Sequence, residues 1–420
     1  MENKWYKGVT KEQWRTFWAA YLGWMLDIMD LMIYSMVILY IIQDLNLTSS
    51  MAGMIASAAL FASAFGGIIF GIIADRWGRA KSMVYSILLY SIATFLCGFS
   101  ETATQLMIFR ILVGIGVGGE WATGATLIME TWPAKKRNVA MAFVQSAFAV
   151  GYALAALITL VVVPEFGWRG VFFVGVFPAL ISLWIRKHTP EPKIWEEQTR
   201  RLSIRETLGT IVNKHRKPAI ICVLFGSFSL LGFFGLATWL PAYLSTPVSE
   251  GGPGLDITKT ATWIIVSQIG AFFGYIGFGM ISNKIGRKHS FLLFLSVSTI
   301  SVPIYLLLEN EMLLLIFGAF VSFFGYGFYA GFGPFFSSFF PTSIRATALG
   351  TVYNLSRGIS AFAPFIIGQT ALSIGIGAAL MVTSGFYIIA ILVLILLVKE
   401  AEVKVLPDEV NSFENIVNSR

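Results

Sequence analysis

Two short motifs occur twice in this chain, and both pairs repeat at the same interval. The stretch 71–81, which contains Asp-Arg-Trp-Gly-Arg, returns in weaker form at 279–288, 208 positions later. The Trp-Pro and Phe-Pro dipeptides that end at Pro133 and Pro341 are also 208 positions apart. Because two motif pairs keep one register, the sequence predicts a duplicated unit of about half the chain.

The composition excludes a soluble protein of this length. Of the 420 residues, 56% are hydrophobic and only 13% are charged, which is too much apolar surface for one soluble chain to bury. The net charge of +7 does not indicate a nucleic-acid partner, because the basic residues lie near the ends of apolar segments, where they report membrane topology. The composition therefore predicts a polytopic membrane protein.

Apolar runs long enough to cross a bilayer occur twelve times, since a helix needs roughly 20 residues to do so. The first six are near 16–43, 51–74, 82–100, 103–130, 139–163 and 170–186. The second six are near 218–245, 259–282, 290–308, 312–338, 346–372 and 377–398. The predicted fold is all-α, with twelve transmembrane helices in two pseudo-symmetric bundles of six. Its predicted divisions are an N-terminal bundle (1–186), a central loop (187–217), a C-terminal bundle (218–398) and a tail (399–420).

The lysines and arginines predict the orientation. Of the 30 basic residues, 26 fall on the side that carries both termini, and only Arg169 and Lys259 fall on the other side. Both termini are therefore predicted to be cytoplasmic. The central loop 187–217 is either a solvated linker or contains short amphipathic helices on the membrane surface.

Two acids in the first apolar segment are candidates for proton coupling. Asp27 and Asp30 are three residues apart, so they share one helical face. Two carboxylates there cannot both ionise cheaply, and at least one is expected to bind a proton near neutral pH. The alternative is that one of them pairs structurally with a neighbouring helix.

The fourth apolar segment contains Arg110 and Glu120, separated by glycines that include Gly114 and Gly118. The glycine spacing predicts close packing against another helix. Glu120 lies about 15 Å beyond Arg110 along the helix, so the two side chains are not expected to pair. Glu120 is a candidate second proton site or substrate contact, with a structural pairing as the alternative.

Arg357 in the eleventh segment shares a helical face with Asn354. An arginine fork matches a carboxylate, so its partner is expected to be a substrate anion, or else Asp27 or Asp30 in an internal ion pair. Aromatic residues that are candidates to line a substrate cavity are Tyr34, Trp121, Tyr326 and Tyr329. No histidine lies at membrane depth, so proton handling is expected to rest on carboxylates.

These motifs resemble the major facilitator superfamily of secondary transporters, from the first apolar segment to the last. The residues that carry the resemblance are Gly71, Gly78, Arg110, Gly114, Gly118, Gly286 and Arg287. In the superfamily's fourth-helix motif, the arginine is linked to proton transfer. The stretches 118–121, 235–241 and 340–347, with the Asp-x-x-Asp of the first segment, look like the branch of proton symporters for aromatic acids, sialate, lactate and related acids. That branch implies movement of an organic anion with one or more protons. The fifth segment lacks the Gly-Pro-rich motif of the superfamily's antiporters, which favours symport.

The resemblance also implies a cytoplasmic gate formed by Asp75, Arg79 and Glu130. The positions that correspond to the two acids in the second half are Asn283 and Ser338, both neutral. We therefore expect an asymmetric gate, concentrated in the first-half set.

Three other functions remain open from the sequence. The same fold could carry a sugar or a zwitterionic or cationic metabolite, and, more remotely, the chain could be a receptor that does not transport. An enzyme is not expected, because there is no nucleotide-binding loop and no metal-spaced His/Cys cluster. No cofactor, metal or nucleic-acid partner is predicted. The expected partners are an organic anion, the proton and the lipid bilayer, and the chain is expected to work as a monomer.

Overall fold

The computed structural model describes residues 8–181, 184, 209, 213–340 and 345–398, and within these ranges the chain consists of helices joined by short turns. The first half contains α1 (Lys11–Asp44), α2 (Ser49–Trp77), α3 (Arg79–Cys97), α4 (Ala103–Thr131) and α5 (Ala134–Val174). The second half contains α6 (Arg216–Ser245), α7 (Ile257–Ile285), α8 (Arg287–Leu306), α9 (Glu311–Gly327), α10 (Phe332–Ser337), α11 (Arg345–Ser360), α12 (Ala363–Ile374), α13 (Ile376–Leu380) and α14 (Val382–Leu397), with 3₁₀ turns at Val248–Glu250 and Phe328–Gly331. The tail and nearly all of the predicted central loop lie outside the described residues.

Among the described residues, ten helical segments are long and apolar enough to cross a membrane. One of them, Val139–Ile181, contains the predicted fifth span and most of the predicted sixth, as far as the described residues extend, and a sharp break at Gly167 with φ of 64° separates the two. The predicted eleventh span is divided between two shorter helices. The ten segments and these two shorter helices together account for all twelve predicted spans.

The break in the eleventh span corrects the sequence prediction of one helix over 346–372. The structure has two helices there: α11 ends at Ser360 and α12 begins at Ala363. Pro364 explains the break, because proline donates no backbone hydrogen bond, disfavours helical geometry in the residue before it and suits the first turn of a new helix.

Four of the helices that begin at the end of the bundle where α1 ends have a capping side chain. We call this end the far side, and the end where α1 begins the N-terminal side. Thr48, Thr102, Asp256 and Asn310 each accept a hydrogen bond from the backbone N–H three residues later. Such caps satisfy otherwise unpaired N–H groups and fix where the helices start.

The two basic residues on the far side are both paired with acids. Arg169 contacts Asp44 at 2.7 Å, and Lys259 contacts Glu311 at 2.8 Å. Both pairs are half-exposed, so each is expected to add at most about 1 kcal/mol of stability. The pairing nevertheless neutralises the positive charge on this side.

The sequence repeat is visible in the packing of the helices. Gly66 on α2 lies against the carbonyl of Ile115 on α4, and Gly274 on α7 lies against the carbonyl of Phe323 on α9. Each contact has its counterpart 208 positions later, and in both halves a Cβ on the glycine would collide with the facing backbone. The two halves therefore use the same close helix contact.

The turn inside the repeated motif is also the same in both halves. Gly78 has φ of 109°, and Gly286 has φ of 85°. These values are accessible to glycine and strained for other residues, so both motif glycines are required by the backbone. In the second copy, Arg287 donates a hydrogen bond to the Pro334 carbonyl at 2.9 Å.

Candidate functional site

The three candidate proton-coupling acids lie inside the first half, buried from solvent. Asp27 and Asp30 on α1 are 0% exposed, and Glu120 on α4 is 1% exposed. The Asp27 carboxyl lies beside that of Glu120 and within electrostatic range of Asp30. The structure thus brings the three acids into one cluster, with Asp27 and Glu120 as its most closely associated pair.

Two glycines make room for the Glu120 carboxyl. A Cβ on Gly23 of α1 would collide with Glu120 Oε1, and a Cβ on Gly124 would come within 3.1 Å of the same atom. The acid is therefore held in a slot between α1 and its own helix. This pairing depends on which faces of α1 and α4 meet, and the spacing of residues along each helix does not reveal it.

Arg110 is held by backbone carbonyls instead of by a carboxylate. Its guanidinium donates hydrogen bonds to the carbonyls of Asp30 at 3.2 Å and Leu31 at 3.3 Å. It also lies over the Tyr34 ring, with 4.9 Å from Cζ to the ring centroid. The Tyr34 hydroxyl in turn donates to the Ala52 carbonyl at 2.8 Å. Arg110 therefore places a fixed positive charge near Asp30.

A cavity about the size of one water molecule adjoins Arg110. Its lining includes Tyr34 and Ser35 from the first half and Thr238 from the second. The cavity therefore lies between Arg110 and the boundary between the halves.

Arg357 on α11 is 1% exposed, and its Nε has no hydrogen-bond partner in the structure. No described acid forms an ion pair with it, so the internal pair with Asp27 or Asp30 that the sequence left open is not formed here. The hydroxyls of Tyr329 and Tyr353 contact each other, and both tyrosines lie within electrostatic range of Arg357. Arg357 is thus a buried cation with two phenols within electrostatic range.

An aromatic cluster surrounds the Tyr329 side of this site. Phe233 stacks on Tyr329 with ring centroids 4.9 Å apart, and Tyr275 lies 6.3 Å from the same ring. Phe148 reaches in from the first half, at 6.1 Å from Tyr329 and 6.3 Å from Tyr326. Phe148, Phe233 and Tyr275 were not predicted from the sequence. Among 36 phenylalanines and 14 tyrosines, no spacing distinguishes these three.

The other predicted site residues are spread more widely. Asn354 is partly buried and faces α2, where a Cβ on Gly67 would lie 3.1 Å from its Oδ1. It therefore lies at the contact between the halves. The structure does not describe the side chain of Trp121. Nor does it describe those of the predicted gate residues Asp75, Arg79 and Glu130. Their backbones lie near the C-terminal end of α2, at the start of α3 and at the end of α4.

A cross-half hydrogen bond joins α5 to α6. The Tyr152 hydroxyl donates to the Ala237 carbonyl at 2.7 Å. Pro241, four residues further along α6, has no N–H, so this carbonyl lacks its usual helical partner. The proline thus creates the acceptor that Tyr152 uses.

A second cross-half contact caps α12. Ser57 Oγ on α2 accepts a hydrogen bond at 3.0 Å from the N–H of Phe365, which the break in the eleventh span leaves without a helical acceptor. One turn away, Gly53 lies so close to the Pro364 carbonyl that a Cβ would collide with it. The far halves of α2 and α12 are therefore in direct backbone contact.

The N-terminal side of the same boundary is less tightly packed. At Gly71 on α2 and Gly350 on α11, a Cβ would meet no described atom outside the local helix within 4 Å. The same is true of Gly279 on α7 and of Gly333 on α10. The glycine that packs against facing backbone across the boundary here, Gly53, therefore lies on the far side.

Comparison with known proteins identifies this architecture. The model of the Major Facilitator Superfamily matches residues 20–251, which is more than half of the chain. The chain belongs to the Major Facilitator Superfamily. The resemblance seen in the motifs is thereby confirmed, and the chain is a multi-pass membrane transporter, not an enzyme.

Relatives within the Major Facilitator Superfamily cover nearly the whole chain. It is 32% identical to the sialic acid transporter NanX of Escherichia coli, over 91% of this chain and 94% of that protein. It is 30% identical to the cis,cis-muconate transport protein of Acinetobacter baylyi, over 92% of this chain and 94% of that protein. The crystal structure of a D-xylose-proton symporter superposes with a TM-score of 0.75 at 19% identity, covering 94% of this chain and 99% of that one. This last likeness establishes the fold.

Proposed function

We propose that this chain carries a small organic anion together with one or more protons across the cytoplasmic membrane by alternating access. The cargo is a monocarboxylate or an aromatic or sugar acid, and both termini lie in the cytoplasm. A single chain in the bilayer is the working unit, with 1–186 and 218–398 as its two moving halves. The observation that carries the proposal is the buried guanidinium of Arg357, which has no acidic partner among the described residues.

A buried arginine without an acid is an unfavourable arrangement. Removing one partner of a buried ion pair costs about 3–5 kcal/mol, because the remaining charge is left uncompensated. A carboxylate cargo would accept two parallel hydrogen bonds from the fork of Arg357. The neighbouring rings of Tyr329 and Phe233 offer faces for a planar or apolar cargo body. The names of two relatives, which refer to sialic acid and to muconate, support an acid as the cargo.

The acid cluster in the first half supplies the coupling ion. Two carboxyl groups in contact cannot both be ionised cheaply, so Asp27 and Glu120 together hold a proton. The anion site lies in the opposite half. Coupling then requires that cargo at Arg357 and protons at the acids change the same equilibrium between two arrangements of the halves.

Alternating access is supported by the uneven packing between the halves. The far side is held by the Tyr152–Ala237 and Ser57–Phe365 hydrogen bonds, while on the N-terminal side a Cβ on Gly71 or Gly350 would meet no described atom outside the local helix within 4 Å. Opening towards the far side would have to break both hydrogen bonds. We call these two hydrogen bonds the far-side latch.

We expect Tyr152→Phe to weaken the far-side latch and favour the outward-open form. One neutral hydrogen bond contributes about 1 kcal/mol, so the outward-open population should rise about fivefold. A cysteine introduced by Thr238→Cys reports this, since Thr238 is 3% exposed and lies between the halves. Its labelling by a membrane-impermeant thiol reagent added outside should accelerate by the same factor. The natural cysteines Cys97 and Cys222 are buried and add little background.

The matched control is Tyr85→Phe, which removes the hydroxyl of a half-exposed tyrosine on α3. It should leave the labelling rate unchanged. A Tyr152→Phe rate equal to that of the parent chain would show that the far-side latch does not hold this face closed.

The proposed function is tested by uptake of labelled compounds into proteoliposomes with and without an inward proton gradient. The panel contains lactate, hydroxybenzoate, sialate, a sugar and a betaine. We expect gradient-stimulated uptake of one or more acids and no uptake of the sugar or betaine. Uptake of the sugar or the betaine alone would replace the anion hypothesis with a neutral or zwitterionic cargo.

A further inference from the structure

Tyr90 on α3 lies beside the acid cluster and has not yet been given a role. Its side chain is 0% exposed. The Asp27 carboxyl of α1 lies beside the Tyr90 hydroxyl, and Asp30 of α1 and Glu120 of α4 lie within electrostatic range. One hydroxyl is therefore placed among all three acids.

The backbone holds Tyr90 in this position. Ser86, one turn earlier on α3, donates a hydrogen bond to the Gly116 carbonyl of α4 at 2.6 Å. A Cβ on Gly116 would collide with the backbone and Cβ of Tyr90. Helices α3 and α4 therefore touch at Tyr90, and the ring is fixed between α4 and α1.

Thr94 repeats the arrangement one turn further along α3. Its hydroxyl lies beside Asp30, as the Tyr90 hydroxyl lies beside Asp27. Tyr90 and Thr94 are four residues apart on α3, and Asp27 and Asp30 are three apart on α1. Each spacing places two side chains on one helical face, so each hydroxyl meets one acid. Arg110 and Cys97 are the further titratable groups within electrostatic range of Asp30.

The hydroxyls of Tyr90 and Thr94 are buried, and neither closes a hydrogen bond of standard geometry in the structure. Three other buried tyrosines are tied to backbone carbonyls: Tyr34 to Ala52, Tyr152 to Ala237 and Tyr243 to Leu306. The hydroxyls of Tyr275, Tyr326 and Tyr387 are buried without a hydrogen bond to a described residue, as that of Tyr90 is, but their electrostatic neighbours are other tyrosines or none, not carboxylates. The Tyr90 hydroxyl is instead directed at groups that exchange protons.

We propose that Tyr90 takes part directly in proton coupling and that its hydroxyl relays a proton between Asp30 and the Asp27–Glu120 pair. This inference rests on the proposed proton symport. In each transfer, a protonated carboxyl on one side gives its proton to the tyrosine oxygen, and the tyrosine's own proton passes to the carboxylate on the other side. The phenol is neutral before and after, one proton has moved, and rotation of the hydroxyl resets it. Phenylalanine fills the same space and cannot perform this exchange.

The relay is tested without cargo, on the full chain in lipid nanodiscs, by following carboxyl protonation with time-resolved infrared absorbance after a pH jump. Asp27→Asn, Asp30→Asn and Glu120→Gln assign the carboxyl bands. In the parent chain, we expect the Asp30 band and the band of the Asp27–Glu120 pair to change together. In Tyr90→Phe, one of the two bands should change at least about tenfold more slowly than the other after the pH jump. Equal rates in Tyr90→Phe, or no carboxyl protonation change in the parent chain, would overturn the relay.

Transport gives a second readout. In proteoliposomes, Tyr90→Phe should lower uptake driven by a proton gradient at least about tenfold, because each cycle needs proton transfer. Cargo exchange across the membrane without net proton movement should stay within about twofold of the parent chain. The control is Tyr85→Phe, on the same helix but 49% exposed, which should change neither. An equal loss of exchange and driven uptake would mean a structural role and would overturn the proposal.

Failure of the proposed function is recognised separately. If the parent chain carries no acid in response to a proton gradient, the symport proposal is wrong. The infrared measurement still decides whether Tyr90 connects the acids, because it needs no cargo.

Discussion

Arg357→Ala is expected to lower the initial rate of organic acid uptake by more than about 100-fold. Truncating one partner of a buried, hydrogen-bonded charge pair costs about 2–5 kcal/mol, and here the other partner would be the cargo carboxylate. Arg357→Lys keeps the charge and loses the planar fork, so a loss of about tenfold is expected. The measurement is uptake of the labelled acid into proteoliposomes, at a cargo concentration below saturation.

Arg169→Ala is the matched control for this prediction. It removes an arginine that is half-exposed and paired with Asp44 on the far side. Its uptake should remain within about twofold of the parent chain, as expected for a surface ion pair. If Arg357→Ala transported the acid at more than half the parent rate, Arg357 would have only a structural role.

Glu120→Gln and Asp27→Asn are each expected to reduce gradient-driven uptake by more than about 100-fold. The two carboxyls lie together in a buried site. In the proposed mechanism they share a proton, so converting either to an amide removes the group that binds and releases it. Exchange of labelled for unlabelled acid, which needs no net proton movement, should persist. The combination of lost driven uptake and retained exchange is the signature of a coupling site.

The control here is Glu165→Gln, which changes an exposed acid in α5. Both transport modes should match those of the parent chain. If Glu120→Gln retained driven uptake at the parent level, the proton would have to bind elsewhere. The nearest remaining candidate would then be Asp30.

The fold could be predicted from the sequence because its signals are local or periodic. The length of the apolar runs predicts the spans, and the interval of 208 positions predicts that Gly66 and Gly274 have equivalent surroundings, as the structure shows. The break before Pro364 was not predicted, although the proline is visible in the sequence. A proline in an apolar run can bend a helix or end it, and the outcome depends on partners such as Ser57 from the other half.

Of the candidate site, only the charged residues could be predicted from the sequence. A charge at membrane depth is costly, so Asp27, Glu120 and Arg357 stood out against an apolar background. The partners of these charges could not be predicted, because rotation of α1 against α4 decides whether Glu120 meets Asp27. Phe148 and Tyr90 were not distinguished for a similar reason. Each is an ordinary core residue by type, and its role comes from the helices it touches.

The proposed mechanism requires that an acid and a proton move together in one cycle. A direct test uses proteoliposomes that contain a pH-sensitive dye, have no initial proton gradient and receive an inward gradient of the transported acid. We expect the acid that enters down its gradient to acidify the lumen, and we expect this acidification to stop in Arg357→Ala and in Glu120→Gln. Entry of labelled acid through the parent chain without any change of luminal pH would contradict proton symport.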